Sequence, residues 1–391
     1  MKKQSLKNIT TQFLQFAFVA VFLTAISVSA SLYADDQLVL FRNNVLQNDK
    51  NNISISPYGA NLAIALVVPG TKGETETELK SLLGYNDNIS ELAKSLKITD
   101  YAKEDSPLKT ATSLWIQQGF NVLPDFTETA KTNFASEIKT VDFQSNSSDA
   151  CNIINEWVDK NTKSKIKKLF DTVESDTRVI AVSAIYFLAE WRRKFRTSET
   201  KEENFTLLNG EKKKVQMMRN TKGNYNYGEN LNAQWLELPY KNKGFSAVII
   251  LPNNGIKPSD VVAKLTPDNF NNTLNTLKST QVDVKVPRFE IEYSTSLKES
   301  LLTAGVKKIF SPSADLSGIA SNKKLIVSDI VQKVYIKVNE SGTEAAAVTG
   351  ATISVTSIKI STPKEFYVDR PFIFIVKESN NILFAAQVTN P

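Results

Sequence analysis

Histidine is absent from all 391 residues. Its absence excludes Ser-His-Asp and Cys-His relays, two-histidine zinc sites and imidazole proton shuttles. Cysteine is nearly absent too: Cys151 is the single thiol, so no internal disulfide forms and the core must hold the fold. That thiol reads as a quiet group on or under a helix over 149–160, with an intermolecular partner as the alternative. There is no GxxxxGK[ST] loop, no strand-following GxGxxG and no internal repeat. The 41 acidic residues supply carboxylates, but no spacing singles out a glycosidase-like pair. Catalysis is therefore a poor reading of this chain, and neither a cofactor nor a metal is called for.

What is present is apolar substance: 41% hydrophobic and 9% aromatic residues, enough for one extensive core and against disorder. Residues 1–30 read as a secretory leader. Lys2, Lys3 and Lys7 precede an apolar run over 13–28, and Val28-Ser29-Ala30 offers a small-residue cleavage site, with Ala34 a second candidate. Removing that leader lowers the formal charge from +6 to about +3, a mildly basic surface with no nucleic-acid signature. No later stretch is suited to cross a bilayer. Lys160 to Lys168 carries five lysines in nine residues and reads first as a solvated helix end and turn, with a polyanion patch as the alternative. Of the Asn-x-Ser/Thr tripeptides, Asn88, Asn146 and Asn271 are the preferred glycosylation candidates; Asn52, whose neighbours enter the core, is not.

Helix-period segments gather at the front, over 35–47, 57–68, 75–83 and 89–102, with another beginning near Ser147. Pro69-Gly70 ends the second. An alternating segment opens at Asn121-Val122-Leu123-Pro124 and reads as strand. From Val179 onward extended runs dominate, at 179–188, 224–230, 234–239, 245–251, 282–287 and 325–339, with helical interludes at 258–265, 267–277 and 297–304. The pattern predicts an α+β fold.

One segment resists such treatment. From Gly342 the chain reads GTEAAAVTGATISVTSIKISTP, small and β-branched residues that suit neither a buried helix nor an ordinary strand. A structureless stretch of this length inside a compact domain is usually functional. Its composition fits a segment that is loop in one state and strand in another.

The chain resembles the serpin family of serine protease inhibitors along its mature length, and four ordered motifs carry the resemblance. They are Asn51-Asn52-Ile53-Ser54-Ile55-Ser56-Pro57; Val182-Ser183-Ala184-Ile185-Tyr186-Phe187 with Trp191 and Phe195; the hinge-like Lys337-Val338-Asn339-Glu340-Ser341-Gly342-Thr343-Glu344-Ala345-Ala346-Ala347; and Phe366, Asp369-Arg370-Pro371-Phe372-Ile373-Phe374 and Leu383-Phe384. The resemblance implies a single domain over 35–391 with about eight or nine helices and three β-sheets. It also implies a hinge and exposed reactive-centre loop over 342–362, Val348 to Thr362 being the exposed part. It further implies a secreted, monomeric suicide substrate: a serine protease cleaves the loop, and the freed strand inserts into the large sheet before the acyl-enzyme hydrolyses.

Inserting residues alternate between faces. Thr343, Ala345, Ala347, Thr349, Ala351 and Ile353 fall on one, and Glu344, Ala346, Val348 and Gly350 on the other, so the charge of Glu344 stays off the inward face. That favours an inhibitor over a non-inhibitory carrier. Around the region where the sheet parts, this chain has Ser183, Gly59 and Gln332 where many serpins have Asn, Ser and His. Ser183 and Gln332 are expected to share a hydrogen bond, with Ser56 joining and Trp191 nearby. The family count places the scissile bond between Thr356 and Ser357, fourteen positions beyond Gly342. Thr356 suits the shallow pocket of an elastase-like protease; Lys359 is the alternative bait, for a trypsin-like one.

Overall fold

The computed structural model describes residues 36–85, 88–321, 325–343 and 362–391. Its centre is the helix Pro57–Val67. Ser56 caps it by accepting from the Gly59 amide, and Pro57 occupies the first turn, where a missing N–H costs nothing. Every residue of this helix but Asn61 is buried. A helix apolar on all sides must be covered on all sides, and this one packs between two sheets: against Leu108–Gln117 and Val179–Phe187 on one side and Asn381–Val388 on the other.

The seven-stranded sheet runs Glu137–Val141, Leu108–Gln117, Val179–Phe187, Asp329–Asn339, with Phe289–Ser296 antiparallel along the far side of Asp329–Asn339. Val179–Phe187 and Asp329–Asn339 are parallel neighbours, residues 180–186 facing 329–335. Alternation sorts their side chains. Val179, Ala181, Ile185 and Phe187 join the main core around Pro57–Val67, while Ile180, Val182, Ala184 and Tyr186 meet a second cluster beneath the helix Ser147–Asn161. Trp157 of that helix stands edge-on to Trp115 at 5.9 Å.

The second hydrogen-bonded sheet runs Ile53–Ile55, Asn381–Val388, Phe372–Glu378, Phe245–Pro252, Ala233–Pro239, Lys212–Glu229, Lys278–Pro287, Lys364–Tyr367, with Lys201–Thr206 beside the start of Lys212–Glu229. It comprises two sheets sharing one strand. Lys212–Glu229 pairs with Ala233–Pro239 only through 226–229 and gives the rest of its length to other partners. In that sense the fold has three sheets. Among the described residues there are ten α-helical segments, the single helix expected over 89–102 being split into Ile89–Ser95 and Ile98–Tyr101 by the left-handed backbone of Lys97, φ 50°.

A second element differs from the sequence reading. Val122 makes only an isolated bridge to Ala320, and Pro124–Phe134 is a helix. Pro124 pre-sets its first turn, and Phe126, Ala130 and Phe134 form its buried stripe at four-residue spacing. Cys151 is buried, lies 3.6 Å from the Phe170 carbonyl oxygen, and burial pushes its thiol pKa up. Among the described residues no helix is long and apolar enough to cross a membrane.

Gly70 marks a close approach between distant loops. The Gly318 amide donates to its carbonyl at 3.1 Å, and a Cβ on Gly70 would lie 2.1 Å from Ile319 Cγ1. Gly70→Ala should lower the urea midpoint by an amount equivalent to about 1–3 kcal/mol, the usual cost of overpacking.

Candidate functional site

The hinge-like motif sits where the parallel strands diverge. Beyond residue 187 the first strand continues into Ala189–Glu190, and the second reaches Asn339; the chain then turns through Glu340 and Ser341, and Gly342–Thr343 comes back between them. Gly342 pairs with Asn339 and Glu190, and Thr343 with Val338 and Ala189. Asn339 holds the turn, its Oδ1 accepting from the amides of Ser341 at 2.9 Å and Gly342 at 3.2 Å. Gly342 is required sterically, since a Cβ there would lie 1.9 Å from the Ala189 carbonyl oxygen. Val338 and Ala189 both belong to the main core, so their partner Thr343 faces inward, and its side chain is fully buried.

Three groups fasten this turn. Trp191 donates its indole N–H to the Asn339 carbonyl at 2.9 Å and its amide to the Ser341 carbonyl at 2.9 Å. Tyr240 stacks on Trp191, ring centroids 4.4 Å apart and planes within 10°, and its hydroxyl is 2.6 Å from Thr343 Oγ1. Burial pushes the Tyr240 phenol well above its ordinary pKa, which keeps it neutral. The Glu340 carboxylate is held by Arg288, Nη2 at 2.6 Å and Nε at 2.9 Å, and by the Thr200 hydroxyl. Burial alone would raise the Glu340 pKa, but the bonds from Arg288 and Thr200 outweigh it and the net shift is downward.

Within the paired stretch of the two parallel strands, Ser183 and Gln332 stand directly opposite. The hydrogen bond expected between them is not formed. Gln332 instead turns its amide to the backbone of Ser56, accepting from its N–H at 2.8 Å and donating to its C=O at 2.9 Å. A backbone pair satisfies both ends of the amide, which a single hydroxyl cannot. The Ser56 hydroxyl is spent on the Leu383 carbonyl, 2.6 Å, while Ser183 Oγ is buried and has no partner among the described residues. No side-chain bond therefore joins the two strands at this level.

Glu344, Ala345, Ala346, Ala347, Thr356, Ser357 and Lys359 lie outside the described residues. Of the glycosylation candidates, Asn88 and Asn146 are exposed and Asn271 half-buried. Asn52 is engaged by Thr389 and Asn390. The five lysines of 160–168 are all exposed around the end of Ser147–Asn161.

Sequence reasoning missed Arg288, Thr200 and Tyr240. A buried glutamate calls for a cation, yet nothing local distinguishes Arg288 from the other 46 lysines and arginines. Tyr240 follows a strand end and carries no motif.

The family profile described as Serpin (serine protease inhibitor) matches residues 37–391. The leukocyte elastase inhibitor of Sus scrofa is 35% identical over 370 residues, 90% of this chain and 97% of that one. Iripin-8 of Ixodes ricinus is 34% identical over 355 residues, covering 87% and 88%. The structure of Serpin48, a highly specific serpin in the insect Tenebrio molitor, superimposes with a TM-score of 0.83 at 31% identity over 93% of this chain and 98% of that one.

Removing the Glu340 clamp tests its contribution. Glu340→Gln should cost about 1.5 kcal/mol in urea unfolding, the lower end for bonds to a charged group, because the Arg288 side chain remains 41% exposed. A carboxyl whose folded pKa is depressed stabilises fully above its unfolded pKa, about 4.3 for Glu; that contribution is lost as pH falls through the lower folded value. With no histidine in the chain, the parent-to-variant difference should stay flat from about pH 5 to 8 and shrink below about pH 4.

Proposed function

The chain belongs to the serpin family of serine protease inhibitors, and from that premise we propose that it acts as a secreted suicide substrate of an elastase-like serine protease. The observation that carries the reading is Gly342–Thr343 lodged between Asp329–Asn339 and Ala189–Glu190. The leading end of a long, small-residue segment already stands where the two paired parallel strands diverge.

The reaction follows from that position. The protease serine attacks the Thr356 carbonyl, the peptide bond to Ser357 breaks, and the departing amine takes a proton from the protease histidine, leaving an ester. The released strand then advances from Thr343 between Val179–Phe187 and Asp329–Asn339. The backbone ladder across 180–186 and 329–335 is broken and replaced by two new ladders, so the exchange gains hydrogen bonds while carrying the ester-linked protease away. Small inward residues pass under the core with little displacement. Thr356 at the scissile position, together with the likeness to the leukocyte elastase inhibitor, supports an elastase-like target. The basic start, the apolar run over 13–28 and Val28-Ser29-Ala30 support export and use of Asn88, Asn146 and Asn271 as glycan sites.

Incubation with elastase-like proteases should give an SDS-resistant complex and a released C-terminal peptide beginning at Ser357. A peptide beginning at Ile360 from a near one-to-one complex would make Lys359 the bait and the target trypsin-like. Cleavage without any trapped complex across a broad protease panel would count against inhibition altogether.

Two substitutions separate recognition from trapping. Thr356→Arg should create a trypsin inhibitor, the charge meeting the acidic pocket at the right loop length. Thr343→Arg should leave the loop cleavable but release the protease, because the cation would replace a fully buried hydroxyl beside Tyr240; Ala345→Arg should act the same way. Trapping by either variant at the parent stoichiometry would overturn insertion as the mechanism.

A further inference from the structure

We propose that Tyr240 is a positioning residue for inhibition: its hydroxyl seats Thr343 in the sheet before cleavage and thereby sets the register in which the strand inserts. This rests on the insertion reading above. Tyr240 and Thr343 are both buried, at 2% and 0% exposure, and their oxygens are 2.6 Å apart. Among the described residues neither hydroxyl has another hydrogen-bond partner, so each satisfies the other. Tyr240 cannot swing away, because it is stacked on Trp191 and edge-on to Phe187 at 5.1 Å.

Register is what such a contact controls. A strand slipped by one residue turns every side chain to the opposite face, which here would aim Glu344 at the apolar core and Thr343 away from it. The ladder bonds of Gly342–Thr343 are common to any sequence and do not by themselves distinguish the two registers. The site beside the Tyr240 hydroxyl does distinguish them: Thr343 fills it with a neutral partner, whereas a slip one way would bring the charge of Glu344 into a buried neutral site and a slip the other way Gly342, which has no side chain to offer. Gly342 permits the approach, its missing Cβ leaving room for the Ala189 carbonyl oxygen. Once the loop is cut, insertion extends from a seated first pair, and the race against ester hydrolysis starts with the register decided.

The test separates this role from simple packing. Tyr240→Phe keeps the stack on Trp191 but orphans the Thr343 hydroxyl, and one net hydrogen bond corresponds to roughly a fivefold change in an equilibrium. The variant should bind and be cleaved by protease at the parent rate, Tyr240 being buried, while consuming several-fold more inhibitor per enzyme trapped. Adding Thr343→Val to Tyr240→Phe replaces the polar pair by an apolar one and should bring the stoichiometry back toward the parent value. An unchanged stoichiometry in Tyr240→Phe, or additive losses in the double variant, would overturn the proposal.

A second measurement needs no protease. In a Cys151→Ala background, Thr343→Cys should react with a maleimide at least about tenfold more slowly than Leu231→Cys, placed at a 93% exposed site. Equal labelling would show that Thr343 is not seated, even if the parent traps protease normally. Slow labelling in a parent that traps nothing would leave the seat standing and sink the inhibitory reading instead.

Discussion

The parallel pairing of Val179–Phe187 with Asp329–Asn339 constrains everything around it. Both strands are covered on both faces, one by the core around Pro57–Val67 and the other by the helix Ser147–Asn161. Parallel strands in general demand such double burial. A segment that enters between them must therefore satisfy two different neighbours in alternation, and its first inward residue is Thr343. The composition of the segment after Gly342, small on the inward positions with its acidic residue on the other face, is what this constraint selects. Bulk or charge in the inward set would have to displace a close-packed interior.

Around the mouth, charge is kept paired. Glu340 closes on Arg288 and Thr200, and Glu190, whose backbone pairs with Gly342, splits its two oxygens between Lys194 at 2.6 Å and Lys241 at 2.7 Å. The groups that contact the inward hinge residue are by contrast neutral: Tyr240, stacked on Trp191. The division follows from desolvation. The buried Glu340 carboxylate is offset by a cation that itself stays partly in solvent, whereas a charge beside Thr343 would be buried with no counter-ion.

How much of this was legible in the sequence depended on whether the signal was local. The helix Pro57–Val67, with Ser56 and Pro57 before it and Pro69-Gly70 after it, announces both its ends. The buried pair Phe372–Glu378 and Asn381–Val388 shows as two apolar runs around a turn. The segment after Gly342 stood out because its composition matches no ordinary element, and the hinge over 337–347 was identified by its resemblance to the family motif. Pro124–Phe134 was missed although Phe126, Ala130 and Phe134 carry its period, because the alternation of Val122 and Pro124 upstream suggested a strand and the polar residues between the buried ones dilute the stripe. The Glu340–Arg288 and Thr343–Tyr240 contacts join residues 52 and 103 positions apart. Only the assembled sheets bring them together, and no periodicity encodes them.

Gln332 and Ser183 show how the closed sheet can be both well packed and ready to part. The Gln332 amide is saturated by Ser56, which belongs to the start of the central helix and not to the neighbouring strand. Ser183 offers its hydroxyl to nothing, and Thr112, its partner on the other side, also carries a buried hydroxyl without a bond. Each such group pays its desolvation with no return. The cost falls on the closed arrangement, because a strand arriving beside Ser183 brings fresh donors and acceptors. With no disulfide to lock the sheet and no histidine to make the site respond to pH near neutrality, the unpaired Ser183 hydroxyl would, under the insertion proposed above, weigh against the closed sheet at the level where it opens. Under that proposal, Ser183 and Gln332, which set this chain apart from the commoner family pattern, act on the balance between closed and inserted sheets and leave the path of insertion unchanged.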